Sequence, residues 1–385
     1  MSLGYIIISI YCFLSGIIYL GLMIYYKIGI DKLTAISTKN NAVQTFISVV
    51  VCFRNEEDNL TQLLNSLLAQ DYPAQQFEII LYNDGSTDGS LAIIKNFQAQ
   101  VKTHRIIYRE VPYQQGANSP KKLAINDASE KSSSKLMAIT DADCILHPNW
   151  LSIIAQTYTE NAAYLIAGPV AIVEEKSWFN HLQCTELHAL AAVSAGAMGQ
   201  KNPIMCNGAN LAFDRNAFLL LNPYQYNHFI SSGDDMFLLL SMQAAYPHKI
   251  EYVTHQNALV YTKGKSTLKD YFNQRVRWAS KSKNYQQFGV KLVALFVLNF
   301  NVVTLLFPFL FYKHTLISLV IFIGLISIKQ IADHTLISRY AKMMKVNVNF
   351  FQLFLFQYVE ALLTLIVALK SIKGSYNWKG RKLAV

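Results

Sequence analysis

The sequence predicts an α/β domain with a mainly parallel sheet, flanked by membrane-spanning helices. Three observations point there. Of the 385 residues, 52% are hydrophobic and only 15% are charged. That is too apolar for an ordinary soluble domain and too polar for a pure membrane bundle. From about residue 42 to residue 285, short β-branched runs alternate with stretches of helical periodicity, the pattern of a sheet with crossover helices. Long apolar segments stand on both sides of that region.

The first segment, 4–26 (GYIIISIYCFLSGIIYLGLMIYY), is about long enough to span a bilayer. No basic residue precedes it and no small-residue cleavage site follows, so no signal peptide is expected. Lys27 and Lys32 behind it put its C-terminal end in the cytoplasm by the positive-inside tendency. Within the α/β region, Phe46 to Phe53 is a β-branched run suited to a buried parallel strand, and Glu57 to Gln70 has apolar residues at helical spacing. Phe77 to Asp84 reads as a strand ending in an acid, followed by a helix at Ser90 to Ala99, the strand RIIYRE and a helix at Lys121 to Ser129. The strand KLMAITDADC comes next, again ending in acids. In open α/β sheets ligands bind beyond the carboxyl ends of the strands, where these acids lie.

The membrane region 289–371 holds about three hydrophobic segments. Two read as spanning helices joined by a tight turn near Lys313. The third carries Gln352, Gln357 and Glu360. Three spans after a cytoplasmic domain would leave the basic tail 372–385 outside, against the positive-inside tendency. The third segment is therefore expected to be re-entrant or interfacial.

The formal net charge is +10. On a membrane protein such a surplus marks cytoplasmic faces that meet anionic lipid or substrate. With no basic helix and no aromatic-basic repeat, nucleic acid is not an expected partner. Cys12, Cys52, Cys144, Cys184 and Cys206 are odd in number and never in CxxC spacing. They read as buried small hydrophobes in a reducing compartment, not as a disulfide framework or zinc site.

Four stretches carry candidate chemistry. In NDGSTDGS (Asn83 to Ser90), Asp84 ends a strand, Gly85 permits a tight turn, and Ser86 and Asp88 can cap the next helix; alone, this equally fits a plain capped turn. In TDADC, Asp141 and Asp143 are one residue apart, so on an extended chain they project to the same side. Their mutual repulsion calls for a cation, and hard oxygen ligands with open positions suit Mg2+ or Mn2+ holding a diphosphate. In ISSGDDMFLLLSM, Asp234 and Asp235 enter a Leu-rich helix. Two acids exceed what a helix N-terminus needs and allow a general base. In YFNQRVRWASKSK, Gln274, Arg277 and Trp278 share one helical face. Guanidinium suits diphosphate oxygens and indole suits a sugar ring, while the same residues, with Lys281 and Lys283, also fit an interfacial anchor.

Taken together, these stretches resemble the family 2 glycosyltransferases, the inverting, nucleotide-sugar-dependent group that includes cellulose, chitin and hyaluronan synthases and ceramide glucosyltransferase. The resemblance covers about Ser48 to Lys283. VVVCFRNEEDNL is similar to the family's opening strand, NDGSTDGS to its first aspartate motif, TDADC to its DxD, GDD to its acid pair and QRVRW to its QxxRW signature. SPKKLAINDA and CNGANLAF are similar to a donor-side and an acceptor-side loop. SPKK lacks the family's usual glycine before lysine, and Asp234 stands where many relatives have Glu.

The resemblance implies a GT-A nucleotide-sugar-binding, Rossmann-like domain. It also implies metal-dependent, inverting transfer from a nucleotide sugar, a UDP-sugar by expectation, to a lipid, a lipid-linked glycan or a growing polysaccharide. It assigns Asp84 and Lys121 to the nucleotide sugar, Asp141 to sugar and metal, Asp143 to the metal, and Asp235 as base supported by Asp234. Gln274, Arg277 and Trp278 would meet diphosphate and acceptor. The expected setting is multi-pass in a bacterial inner membrane with the catalytic domain cytoplasmic. Two other readings remain: a non-catalytic nucleotide-sugar-binding partner of a polysaccharide export complex, or a nucleotidyltransferase.

Overall fold

The structure, a computed structural model, describes residues 3–34, 45–113, 119–281, 285, 287–307, 315–372, 375–378 and 381–384. The expected domain boundary at residue 42, Lys283 and the turn at Lys313 lie outside the described residues. The chain begins with helix α1 (Leu3–Lys32) and enters the α/β domain through β1 (Ile47–Phe53), α2 (Glu57–Leu68), β2 (Phe77–Asn83), α3 (Ser90–Gln100) and β3 (Arg105–Glu110). It continues through α4 (Pro120–Lys131), β4 (Leu136–Ile139), β5 (Cys144–Ile145), α5 (Trp150–Asn161), β6 (Leu165–Ala167) and β7 (Val170–Ile172). Then come the long α6 (Trp178–Gly199), β8 (Leu211–Asp214), α7 (Arg215–Leu221), α8 (Asp234–Ala245), β9 (Ile250–Tyr252), β10 (Val260–Thr262) and α9 (Leu268–Ser280). Helices α10 (Phe288–Leu306), α11 (Thr315–Met344) and α12 (Phe350–Ile372) follow, with a final hairpin of β11 (Ser375–Trp378) and β12 (Arg381–Ala384).

Among the described residues the main sheet has the order β3-β2-β1-β4-β8-β6-β9. Strands β1 to β4 run parallel, whereas β8 is antiparallel to both β4 and β6. The sheet is thus mixed, with its parallel half where the sequence pattern is clearest. Strand β1 is covered on both faces. Ile47, Val49, Val51 and Phe53 join one core cluster and Val50 the other, which explains its unbroken apolar run. Leu60, Leu63, Leu64 and Leu67 form the buried stripe of α2, at helical spacing.

This topology gathers the functional loops. Strands β1, β2 and β4 all end at one edge of the sheet. Because β8 is reversed, with Leu211 opposite Ile139, the segment before it reaches that same edge. A small second sheet, β5-β10-β7, stands beside it.

Four helices, α1, α10, α11 and α12, are long and apolar enough to cross a membrane by length and composition, among the described residues. Helix α11 does not stop where its most apolar stretch ends. It runs for 30 residues, about 45 Å at 1.5 Å per residue, and its last turns pack on the α/β domain. There Tyr340 is buried near His188 of α6, while Arg339 pairs with Asp31 at the end of α1. The third C-terminal segment forms one continuous helix, α12, and its polar Glu360 is not stranded: the wholly buried Lys329 lies 2.6 Å from it. Helix α12 packs against both α6 and α9. Phe356 joins Leu182 and Tyr271, and further along Lys370 lies 5.5 Å over the Phe272 ring.

Candidate active site

A cavity of about 240 Å³ opens at the strand-end edge of the sheet. Lys121, Asp141, Asp143, Asp234, Asp235, Gln274, Arg277 and Trp278 all line it, so eight of the nine residues singled out in the sequence converge there. Each arrives for a local reason. Pro120 sits in the first turn of α4, where its missing N–H costs nothing, and brings Lys121 to the cavity. Gly233, at φ +84°, turns the chain sharply so that Asp234 and Asp235 open α8. Thr267 caps α9 by accepting from the Asp270 N–H at 3.1 Å, and the helix then presents Gln274, Arg277 and Trp278 together.

Asp84 is the exception. It is fully buried and absent from the lining. Its backbone carbonyl accepts from Arg54 Nη1 at 2.6 Å, and Arg54 is the residue that reaches the cavity. Nor do Ser86 and Asp88 simply cap α3. Ser86 accepts from Asn55 N–H, while Asp88 accepts from both Glu57 N–H and Ser90 N–H. The turn is thereby tied to the start of α2. Asp141 and Asp143 occupy a turn closed by Cys144 N–H donating to Asp141 O, not the extended strand expected. Both still face the cavity.

Asp141, Asp234 and Asp235 are paired with lysines within the site. Lys121 Nζ lies 2.6 Å from Asp141 Oδ1 and 3.3 Å from Asp234 Oδ2, and donates to Gly208 O at 3.1 Å. Lys281 Nζ lies 3.1 Å from Asp235 Oδ1. Lys281 therefore points into the site and is no membrane anchor. Burial alone would raise the Asp234 carboxyl, yet Lys121, Lys281 and Lys122 hold it below the usual carboxylate range. Burial would likewise strip the Lys121 proton, but Asp141 and Asp234 outweigh it and push the ammonium pKa up.

Sequence reasoning missed Arg275 and Glu186. Arg275 lines the cavity but its guanidinium is committed to Glu186 of α6, its Nε standing 2.9 Å from both carboxylate oxygens. It is stacked 4.1 Å from the Tyr271 ring and 4.5 Å from the Trp278 ring. Tyr271 hydroxyl donates to the same Glu186 at 2.8 Å. No local pattern announces Glu186, because its partners lie 85 and 89 residues away. Arg54, Lys263, Lys265 and Asn207 also line the cavity.

As a cation site the donor set is open. Among the described residues no cluster of three metal-ligating side chains forms. Asp141 and Asp143 could therefore hold a divalent ion only with oxygens from a bound ligand. The ammonium on Asp141 shows that this carboxylate lies where a cation is favoured. The residues fit a metal that arrives with a diphosphate.

Comparison with known proteins places the fold. The family model of glycosyl transferase family 2 matches residues 48–219, and that of glycosyl transferase family group 2 matches residues 136–365. Glycosyltransferase AglE of Haloferax volcanii is 26% identical over 197 residues, 49% of this chain and 59% of that protein. An N-acetylglucosaminyltransferase of Rhizobium leguminosarum is 27% identical over 71% of this chain and 64% of its own. The poly-beta-1,6-N-acetyl-D-glucosamine synthase of Staphylococcus epidermidis is 23% identical over 65% and 57%. The chain thus spans about three fifths of the length of these relatives. A solved mannosyltransferase from Pyrobaculum calidifontis, in complex with GDP-Man and Mn2+, superposes with a TM-score of 0.55 at 13% identity, covering 95% of this chain and 99% of that one. The shared fold is the GT-A fold. With one family model covering more than half of its length, the chain belongs to the family 2 glycosyltransferases.

Proposed function

We propose that this protein is an inverting glycosyltransferase that moves a sugar from a nucleotide-sugar donor, a UDP-sugar, to a membrane-associated lipid, lipid-linked glycan or growing polysaccharide. The observation that carries the reading is the convergence of Lys121, Asp141, Asp143, Asp234, Asp235, Gln274, Arg277 and Trp278 on one cavity. The nucleotide lies against the Arg54 and Asp84 turn. Asp141 and Asp143 would hold a divalent ion, Mg2+ or Mn2+, which when bound neutralises charge on the diphosphate. Lys121 and Arg277 meet the same developing charge, and fixed cations there favour the transition state over the ground state. Asp235 takes the proton from the acceptor hydroxyl with Asp234 supporting it, and Trp278 walls the sugar with Gln274 beside it. A single displacement needs one base and inverts the anomeric centre.

The acceptor comes from the membrane side. A cleft of about 440 Å³ between α6 and α12, lined by Trp178, Leu182, Phe351, Leu355 and Phe356, supports an apolar moiety next to the catalytic domain. Helix α12 lies along the cytoplasmic face of the bilayer, the domain sits in the cytoplasm, and α1, α10 and α11 cross the membrane.

Detergent-purified protein given UDP-GlcNAc, UDP-glucose or GDP-mannose with membrane extract should release nucleoside diphosphate with Mn2+ and lose turnover with a chelator. Asp235→Asn should lower turnover by about 10²- to 10⁴-fold, the span of general-base catalysis. Full activity in that variant removes the base assignment, and release of pyrophosphate instead would make the protein a nucleotidyltransferase.

A further inference from the structure

Lys281 stands directly after α9, four residues beyond Arg277 and so about one turn further on the same face. Its side chain is 11% exposed and that of Asp235 is 15% exposed, leaving little water to weaken their contact. Its stem crosses the Gly233 turn, where a Cβ would stand 3.2 Å from Lys281 Cδ. The two ends of this contact belong to different tasks. Asp235 opens α8, and Lys281 closes the helix whose Arg277 faces the same cavity as Asp141 and Asp143. While the 3.1 Å contact stands, Asp235 Oδ1 is engaged by an ammonium and by the Met236 N–H at 2.7 Å, so a hydroxyl approaching that oxygen must displace Lys281.

We infer that Lys281 is a switch between Asp235 and the diphosphate: it holds Asp235 while the cavity is free of donor and moves to the phosphate oxygens when a nucleoside diphosphate binds. The inference rests on the reading of this cavity as the donor site and of Asp235 as the base. Its consequence is order. The donor frees Asp235 Oδ1, so deprotonation at that oxygen follows donor binding. Two anionic partners then compete for one ammonium, and removing one partner strengthens the other contact.

That competition is measurable without a known sugar. Titration calorimetry of the full chain in detergent would follow UDP and GDP binding with Mn2+ present, for wild type, Lys281→Met, Asp235→Asn and the double variant. Lys281→Met should weaken the better-bound nucleotide about tenfold, the worth of one charge-assisted hydrogen bond. Asp235→Asn should tighten it about fivefold in wild type and leave it unchanged in the Lys281→Met background, since the coupling lies within the pair. Lys281→Arg, which keeps the charge, should bind near the wild-type level and guard against misfolding as the cause. Equal tightening in both backgrounds would mean simple removal of negative charge and would overturn the switch. So would an Asp235→Asn variant that binds no tighter, or a Lys281→Met variant that binds as wild type. If neither nucleotide binds wild type, the donor-site reading falls and takes the switch with it. If the binding cycle holds but Asp235→Asn still turns over, the base assignment falls and the competition stands.

Discussion

Lys122 is the neighbour of a cavity residue and yet faces the interior. Consecutive helical positions point about 100° apart, so Lys121 reaches the acids while Lys122, 1% exposed, donates to Asn227 O at 2.8 Å and Ile230 O at 3.1 Å. Its ammonium also lies 4.4 Å over the Phe237 ring. It thereby fastens the segment leading to Asp234. Burial pushes its pKa from 10.5 down to about 7, with Asp234 and Asp235 opposing the fall and Lys281 adding to it. Between those values the unfolded chain holds a proton that the folded chain lacks, so stability rises with pH through the window. Thermal unfolding followed from about pH 7 to about pH 9 should show wild type gaining on Lys122→Met as pH rises, a gap set by this one proton. A constant gap across that range would show that Lys122 stays charged in the folded protein.

Two helix contacts set the site's frame. Helix α9 is locked in rotation by Glu186, which takes Arg275 and the Tyr271 hydroxyl together. Glu186→Gln leaves Arg275, 6% exposed, without its counter-charge. The expected cost is about 3–5 kcal/mol of stability, the range for breaking a buried pair from one side, with weakened nucleotide binding alongside. Unchanged denaturant midpoints and binding would show α9 is held by other contacts. Helix α1 meets α6 at Gly29, Gly196 and Gly199, where backbones approach so closely that a Cβ on Gly29 would fall 1.9 Å from Gly196 O. One on Gly196 would fall 2.4 Å from Tyr26 O. These neighbours are backbone and cannot swing away. Gly196→Val should cost about 1–3 kcal/mol by overpacking and lower the thermal midpoint of the full chain in detergent; a wild-type midpoint would argue against this docking.

At the scale of the molecule, the hydrophobic helices do not all leave the catalytic domain. Phe356 and Lys370 of α12 both touch α9, although fourteen residues of helix separate them by about 21 Å. The hairpin strand β11 packs on α9 as well. Contacts with both α6 and α9 favour the proposed arrangement, in which α12 would lie along the domain and leave the basic tail on the cytoplasmic side. The buried Lys329 binds this arrangement together, with Asp333 at 3.0 Å, Glu360 at 2.6 Å and the Tyr19 hydroxyl at 3.3 Å joining α11, α12 and α1. In a background without the native cysteines, Ser375→Cys should react with a membrane-impermeant maleimide in inverted vesicles and not in intact cells. Labelling in intact cells would make α12 a true span.

The sequence by itself determined the α/β domain, the long apolar helices that flank it and most of the residues that line the candidate cavity. Those features are written locally: β-branched runs make strands, acids at strand ends mark the ligand edge, and i, i+3, i+4 spacing puts Gln274, Arg277 and Trp278 on one face. Tertiary structure decided what depends on distant partners. It turned Lys281 from anchor to ion-pair partner of Asp235, buried Asp84 behind Arg54, and seated Arg275 on Glu186. It also packed α12 against α6 and α9. A side chain's periodicity fixes which way it points from its own element, but its partner and its exposure are set only when another element packs against it.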